Sequence, residues 1–584
     1  MRRLYFILTI CLAASAAWGV PLQVEVGPVW RGAPLHLNEP VGTNVAGQAF
    51  SVTRLDFLWS DLALRGLDGA WQQSSNGQGF FSLGQKDNLP MTGAFAPGRY
   101  DRIRFHVGLT PNLNHSDPAS YPAGHPLNPQ VNGLHWGWAG GYIFLALEGL
   151  WAEPGSTWLG YSYHLANDPQ LMTVELPVAL DLTAGKSVDL TFSVDDLLPR
   201  QFTSENNTTH SRAGDVLAAT LAAAVQHAFA VARVAPLAPV HTNAIAETPD
   251  LPPAGAHPYA FTFSARFPRP ALPLDNPLTE EGVALGRRLF FEKKLSVNNQ
   301  QSCASCHQPA RAFSDGGHAV STGAEGASGS RHAMTLFNLA WKRSFFWDGR
   351  ASSLREQVLM PIQNPVEMHQ PLDRAVANLS NDPDYPPLFA RAFGTPVVTS
   401  RRLALALEQF LLTQVSSDSR LDRALDGRAR LSDEEKLGFQ LFMTEYDPRR
   451  GLRGADCFHC HGGALFQSQT FANNGLDAVF RDRGRSAVTG QAFDQGRFAV
   501  PTLRNVELTG PYMHDGRFKT LEEVVAHYCG GVKRSATLDP NLAKHPDGGL
   551  PLTPVERKAL VAFLKTLTEE SLRPAAAASE LTRN

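Results

Sequence analysis

Two five-residue segments carry the strongest chemical signal in the chain: Cys303-Ala304-Ser305-Cys306-His307 and Cys457-Phe458-His459-Cys460-His461. Two thiols at this spacing can add to both vinyl groups of a heme, and the adjacent imidazole then meets the iron from the same side. A dithiol redox pair needs no following His, and a zinc site needs further Cys or His at ligand spacing. His307 and His461 therefore read as the proximal ligands of two covalently bound c-type hemes. The motifs use four of the six cysteines; Cys11 lies near the start and Cys529 is left over, so there is no disulfide framework.

An internal repeat of helices must position these motifs. Leu278-Thr279-Glu280-Glu281 begins one helix, which reaches Gly286 and Leu289-Phe290. Leu431-Ser432-Asp433-Glu434-Glu435 begins another, which reaches Gly438 and Leu441-Phe442. Thr279 and Ser432 are good N-caps, and Ser432 with Glu435 makes a capping box. A CxxCH follows 13 residues after Phe290 and 15 after Phe442. A third capped helix starts at Thr553-Pro554-Val555-Glu556 and is expected to run to about Thr568. Helix, attachment loop and closing helix are the plan of a small c-type cytochrome. Two mostly α-helical cytochrome domains are thus expected, at 277–420 and 421–572, with a tail at 573–584.

The first part of the chain differs. Ser51–Trp59, Arg102–Val107, Tyr142–Leu147, Leu171–Leu180 and Ser187–Val194 have strand patterning, and turn clusters such as Ala96-Pro97-Gly98 separate them. This predicts an all-β sandwich over 20–235, with residues 212–235 forming one Ala-rich C-terminal helix. The prolines of 236–276 suggest a linker. Arg2 and Arg3 precede an apolar run and then small residues, the pattern of a secretory signal over 1–19, cleaved after Ala16 or Gly19. The mature protein is then exported, to the periplasm, without a membrane span. Lys+Arg 52 against Asp+Glu 55 gives no basic face for nucleic acid, and 43% apolar residues exclude a disordered chain.

Longer motifs flank the hemes: Phe346-Trp347-Asp348-Gly349-Arg350-Ala351, Pro361-Ile362-Gln363-Asn364-Pro365-Val366-Glu367, Val500-Pro501-Thr502-Leu503-Arg504-Asn505 and Pro511-Tyr512-Met513-His514-Asp515-Gly516. Over about 295 residues these resemble the bacterial diheme cytochrome c peroxidase family, which includes the MauG-type enzymes. The resemblance implies that the first heme is the peroxidatic one. It places Trp347 between the hemes as an electron relay, and Gln357, Pro361 and Glu367 in the pocket where hydrogen peroxide reacts. A carboxylate there can take a proton from one peroxide oxygen and return it to the leaving one. Core packing for Trp347 and a solvated loop for Glu367 are the plainer alternatives. The Gly- and Ser-rich tract through His332 has no His where classical members carry a displaceable ligand, although His318 and His332 remain rivals. An open first heme, as in the MauG type, is expected. Fourteen residues after His514 stands Tyr528, where classical members have a Met ligand. An oxygen donor lowers the reduction potential and favours oxidised iron; His527 and Met513 are its rivals, and Cys529 reads as a packed thiol. The family's calcium would use Thr509 and the Pro511 carbonyl, but His332 replaces its Asn ligand. Calcium prefers oxygen, so that site is expected to be weakened or absent.

The β-rich part has its own resemblance. Ser51-Val52-Thr53-Arg54-Leu55, Arg104-Phe105-His106-Val107-Gly108-Leu109, Trp136-Gly137-Trp138, Glu148-Gly149 and Tyr163-His164 look like the MbnP family of exported copper-binding proteins. Its members are partners of MauG-type, MbnH-like enzymes that oxidise a Trp to kynurenine, which then helps bind copper. The resemblance implies that the chain acts on its own N-terminal domain, oxidising Trp136 or Trp138, with His106 and His164, and also His135, as copper-ligand candidates. Imidazole suits copper, whereas core packing is the plainer role for either Trp and for a lone His. The loop Leu165-Ala166-Asn167-Asp168 departs from the small, Gly-containing sequence expected after Tyr163-His164. Two other readings stay open: a classical peroxidase drawing electrons from a small periplasmic cytochrome or cupredoxin, and a non-catalytic electron-transfer and copper-binding protein.

Overall fold

The computed structural model describes residues 19–75, 77–84, 88–136, 141–238, 250–547 and 549–573. Most of the signal segment, Trp138 and most of the tail lie outside the described residues. Among the described residues no helix is long and apolar enough to cross a membrane.

Residues 20–236 form two packed sheets. The larger runs Met172–Asp181, Arg99–Val107, Ala49–Gly66, Gly141–Ala152, Leu159–Ala166 and Thr208–Thr209 in spatial order, with shorter strands off this path. The smaller runs Phe229–Pro236, Lys186–Ser193, Val20–Trp30 and Ala33–Pro34. Phe57, Phe105, Phe192 and Phe229 meet between the sheets; the Phe192 and Phe229 rings are 4.6 Å apart. Met172–Asp181 alternates buried and exposed residues, as a strand with one wet face should. Gly141–Ala152 is buried along its whole length, because the N-terminal domain's own Asn114 and Leu127 cover its start and the C-terminal half of the chain covers its later part.

Two expectations for this region are corrected. The helix covers Val216–His227 only; Phe229–Pro236 is a strand paired antiparallel to Lys186–Ser193. Alanine favours helix, but Phe229 is buried in the sandwich core, and pairing with the sheet overrides local propensity. The proline-rich segment is no free spacer from residue 250 onward. Phe261, Phe263 and Phe267 pack around Trp341, whose indole N–H donates to the Pro268 carbonyl at 2.7 Å. It straps the first cytochrome domain.

The helical half is built twice on one plan. Glu280–Phe290 packs against Ser400–Leu412, and Asp433–Phe442 against Pro554–Lys565. Thr279, Ser432 and Thr553 cap as their sequences indicate. Glycine is required where the helices touch: a Cβ on Gly286 would lie 1.9 Å from the Ala406 carbonyl oxygen, and one on Gly438 1.9 Å from that of Ala559. The repeat continues beyond the heme motifs. Asn338 and Asn505 are left-handed (φ 61 and 62°), as are Phe346 and Met513 (φ 68 and 74°). This register makes Trp347 the counterpart of His514, and therefore Pro361 the counterpart of Tyr528.

Candidate functional site

A cavity of about 820 Å3 runs through both cytochrome domains. It is lined by both CxxCH motifs and also by Trp347, Gln357, Pro361, Glu367 and Tyr528. Its size, the six cysteine and histidine side chains of the two motifs and its cationic lining (Arg331, Lys342 and Arg350) fit two hemes with their carboxylates. The imidazoles are set for iron. His307 Nδ1 lies 2.9 Å from the Phe313 carbonyl and His461 Nδ1 3.1 Å from that of Pro501, which places the proton on Nδ1 and leaves Nε2 for the metal. Burial pushes His461 down to about 4 and lowers His307, which favours the neutral ring that a metal takes. Burial pushes the Cys303 and Cys457 thiols up to about 12, the reverse of a reactive dithiol pair.

Gln357 reaches this cavity from a short helical turn, and Glu367 from the non-helical turn that follows Met360–Gln363. Ser353 caps Leu354–Gln357, and Met360–Gln363 carries Pro361. Glu367 Oε1 accepts from Asn364 Nδ2 at 2.7 Å, while the Glu367 carbonyl accepts from Ala324 N–H at 2.7 Å. Burial raises the Glu367 carboxyl above its ordinary value against the opposing pull of Asn364 and Arg350. It is a half-buried, oriented acid rather than a solvated charge. Pro361 offers no ligand atom, whereas its counterpart Tyr528 offers a phenol.

Tyr528 stands in a π-helical turn, His527–Gly531, an insertion of the kind found at functional sites. His527 Nε2 lies 2.9 Å from the Asn474 carbonyl, and His527 is absent from the cavity lining. Met513 lines the cavity, its sulfur 3.4 Å from Asn474 Nδ2. Cys529 is buried. Of the rival ligands for the first heme, His318 has an exposed side chain away from the cavity. His332 lines it, but its nitrogens lie 3.2 and 3.1 Å from the Ala319 and Thr509 carbonyls. An imidazole thus holds the Thr509 carbonyl, and Pro511 lines the heme cavity. Neither gives the all-oxygen cage that calcium takes, so these residues do not fit that ion. Trp347 donates its indole N–H to the His332 carbonyl at 2.8 Å, and its own carbonyl accepts from Ala499 N–H at 2.7 Å, joining the two cytochrome domains.

The N-terminal domain seats directly on the second cytochrome domain. Leu150 packs with Leu538 and Ala543, and Asn541 Nδ2 donates to Glu148 Oε2 at 3.2 Å. Cross-strand register puts Ala146 opposite His164, Glu148 opposite Ser162 and Leu150 opposite Gly160, all on the covered face. His164 and His106 are not brought together: His106 lies on Arg99–Val107 with Nδ1 3.0 Å from Thr173 Oγ1. The neighbours of His164 are His210 and His459, at ring distances of 4.8 and 5.5 Å. Sequence reasoning missed both. His459 sits inside the second heme motif, and that position was its one available signal. Trp136 is half-buried with its ring 6.2 Å from His210. His135 turns to Tyr142 instead, ring to ring at 4.7 Å.

Two heme sites in one cavity, with an oriented carboxyl lining it, define a diheme c-type oxidoreductase of the peroxidase kind. Residues 280–430 match the di-haem cytochrome c peroxidase family (CCP_MauG), and residues 20–214 match MbnP. The methylamine utilization protein MauG of Methylophilus methylotrophus is 34% identical over 312 residues, 53% of this chain and 89% of that protein. The cytochrome c551 peroxidase of Nitrosomonas europaea is 34% identical over 300 residues, 50% of this chain and 81% of that protein. A solved structure described as a MauG-like protein associated with microbial copper homeostasis is 34% identical, covering 56% of this chain and all of that one at a TM-score of 0.49. The chain belongs to the diheme cytochrome c peroxidase family that includes MauG, and it carries an MbnP domain ahead of the two heme domains.

Proposed function

We propose that this enzyme is an exported, periplasmic MauG-type oxidase that uses hydrogen peroxide to convert Trp136 or Trp138 of its own N-terminal domain to kynurenine. The two hemes supply the oxidising equivalents drawn from peroxide. Glu367 moves the proton between the peroxide oxygens in the cavity that Gln357 also lines, and Trp347 connects the two heme pockets. One Trp takes up two oxygen atoms from two peroxides, releasing two waters, to give N-formylkynurenine. Hydrolysis then leaves kynurenine and formate.

The observation that carries this reading is a line of contacts from the second heme motif into the N-terminal domain. His459 stands between Cys457 and Cys460, its Nε2 is 2.7 Å from His210 Nε2, and the His210 ring is 6.2 Å from that of Trp136. An internal substrate docked in this way needs no diffusional encounter.

The test is peptide mass spectrometry of residues 131–142 in the holoprotein before and after peroxide. The expected result is a kynurenine mass at Trp136 or Trp138 that is absent from Glu367→Gln. Unmodified Trp at both positions, with loaded hemes and rapid peroxide consumption, would leave a peroxidase with an external donor.

A further inference from the structure

We infer that His164, His210 and His459 form a binding site for one copper ion, shared between the N-terminal domain and the heme-attachment loop of the second cytochrome domain. Neither domain completes the site alone. His164 comes from the strand Leu159–Ala166, His210 follows the strand Thr208–Thr209, and His459 comes from the heme motif. One ring nitrogen from each lies within 4.8 Å of the others.

The surroundings are those of metal-ligating imidazoles. Each ring has a carboxylate at one nitrogen: Glu148 2.8 Å from His164 Nε2, Glu445 2.9 Å from His210 Nδ1, and Asp456 2.8 Å from His459 Nδ1. Outer carboxylates of this kind orient a ligating His and fix which nitrogen is left for the metal. The Nδ1 atom of each ring is buried without a hydrogen-bond partner, and the Nε2 atoms of His210 and His459 have only each other. Those two atoms face each other at 2.7 Å. Turning the Nδ1 protons to Glu445 and Asp456 would leave two lone pairs opposed at that distance, and a cation between them would relieve the repulsion.

The charge balance agrees. Around the rings, Arg54 and Lys544 stand against Asp56, Glu148, Glu445 and Asp456, two cations to four buried or nearly buried carboxylates. Unpaired buried charge is costly, and a bound cation offsets it. The donor set selects the ion: neutral imidazoles suit copper and zinc, and at equal geometry copper(II) binds more tightly than zinc. The site differs from the pairing of His106 with His164, and it does not depend on the peroxide reading.

The test uses the metal-stripped diheme holoprotein in the Glu367→Gln background, so that loss of peroxide chemistry cannot be confused with loss of binding. Copper(I), copper(II) and zinc are titrated in turn, and bound metal is counted. One copper per chain is expected, with nitrogen hyperfine structure in the copper(II) electron paramagnetic resonance spectrum. His210→Asn and His459→Asn should each weaken copper by more than the ~10–100-fold that loss of an outer-shell partner costs; His106→Asn should leave it unchanged. If His459→Asn fails to load heme, His210→Asn, outside the motif, decides. Unchanged copper binding in His210→Asn with intact heme spectra overturns the site, and preference for zinc overturns the assigned metal.

Discussion

Glu367, the proposed proton shuttle, has surroundings that suit that task. A proton shuttle must begin as the base, and burial holds this carboxyl above its ordinary value. Peroxide reactivity should therefore fall as pH drops through that raised value and level off above it. Glu367→Gln should lower the rate of reaction with peroxide by ~10²–10⁴-fold and remove this acid limb; stopped-flow rates across pH read both effects. Tyr528 works in the opposite sense. Burial pushes its phenol well above the ordinary tyrosine value, so only a strongly cationic neighbour draws off the proton. Tyr528→Phe takes away the oxygen donor and should raise the potential of the second heme, read by spectroelectrochemistry. An unchanged potential would transfer the ligand role to Met513, which lines the same cavity. The place of both residues on the cavity was legible in the sequence because local motifs fix it. His210 and His459 were not, since they lie 249 residues apart and no spacing rule joins them.

Among elements, the repeat was the most readable feature. Its helices begin at side-chain caps and close through glycines, both local signals. What the sequence concealed was decided by tertiary partners. Phe229–Pro236 has a helix-favouring alanine content but is taken by the open edge of Lys186–Ser193. The proline-rich strap has no periodicity, yet Phe261, Phe263 and Phe267 anchor it on Trp341. The closing glycines yield a paired prediction. Gly438→Ala forces apart Asp433–Phe442 and Pro554–Lys565, where a Cβ has 1.9 Å to the Ala559 carbonyl. The overpacking cost is about 1–3 kcal/mol, and the backbone contact places it at the upper end. Thermal unfolding should show the loss in Gly438→Ala together with perturbed second-heme absorption, and Gly286→Ala should perturb the first heme instead. Equal disturbance of both hemes by either variant would mean that the two domains do not hold their helices independently.

At the scale of the whole molecule, the decisive feature is a sheet face that never meets water. The run Gly141–Ala152 is nearly all apolar, the signature of a strand covered on both sides, with Glu148 as its one acidic interruption. That Glu marks where the cover is polar: the buried seam that holds Arg54, Asn541 and the three histidines. The seam closes at Gly160, where a Cβ would lie 2.1 Å from the Pro540 carbonyl oxygen, a fixed backbone atom. Gly160→Leu should therefore wedge the two domains apart while leaving the cores of the heme domains intact. The tether still keeps the domains at an effective concentration of roughly millimolar, but proximity without docking does not align His210 with His459. Small-angle scattering should show an expanded particle. Peroxide consumption should persist, because Glu367 lies in the first cytochrome domain. Kynurenine formation should be lost with the contact line from His459 to Trp136, and copper affinity should fall as far as in His459→Asn. Copper affinity retained in an expanded Gly160→Leu particle would place the copper ligands wholly within the N-terminal domain.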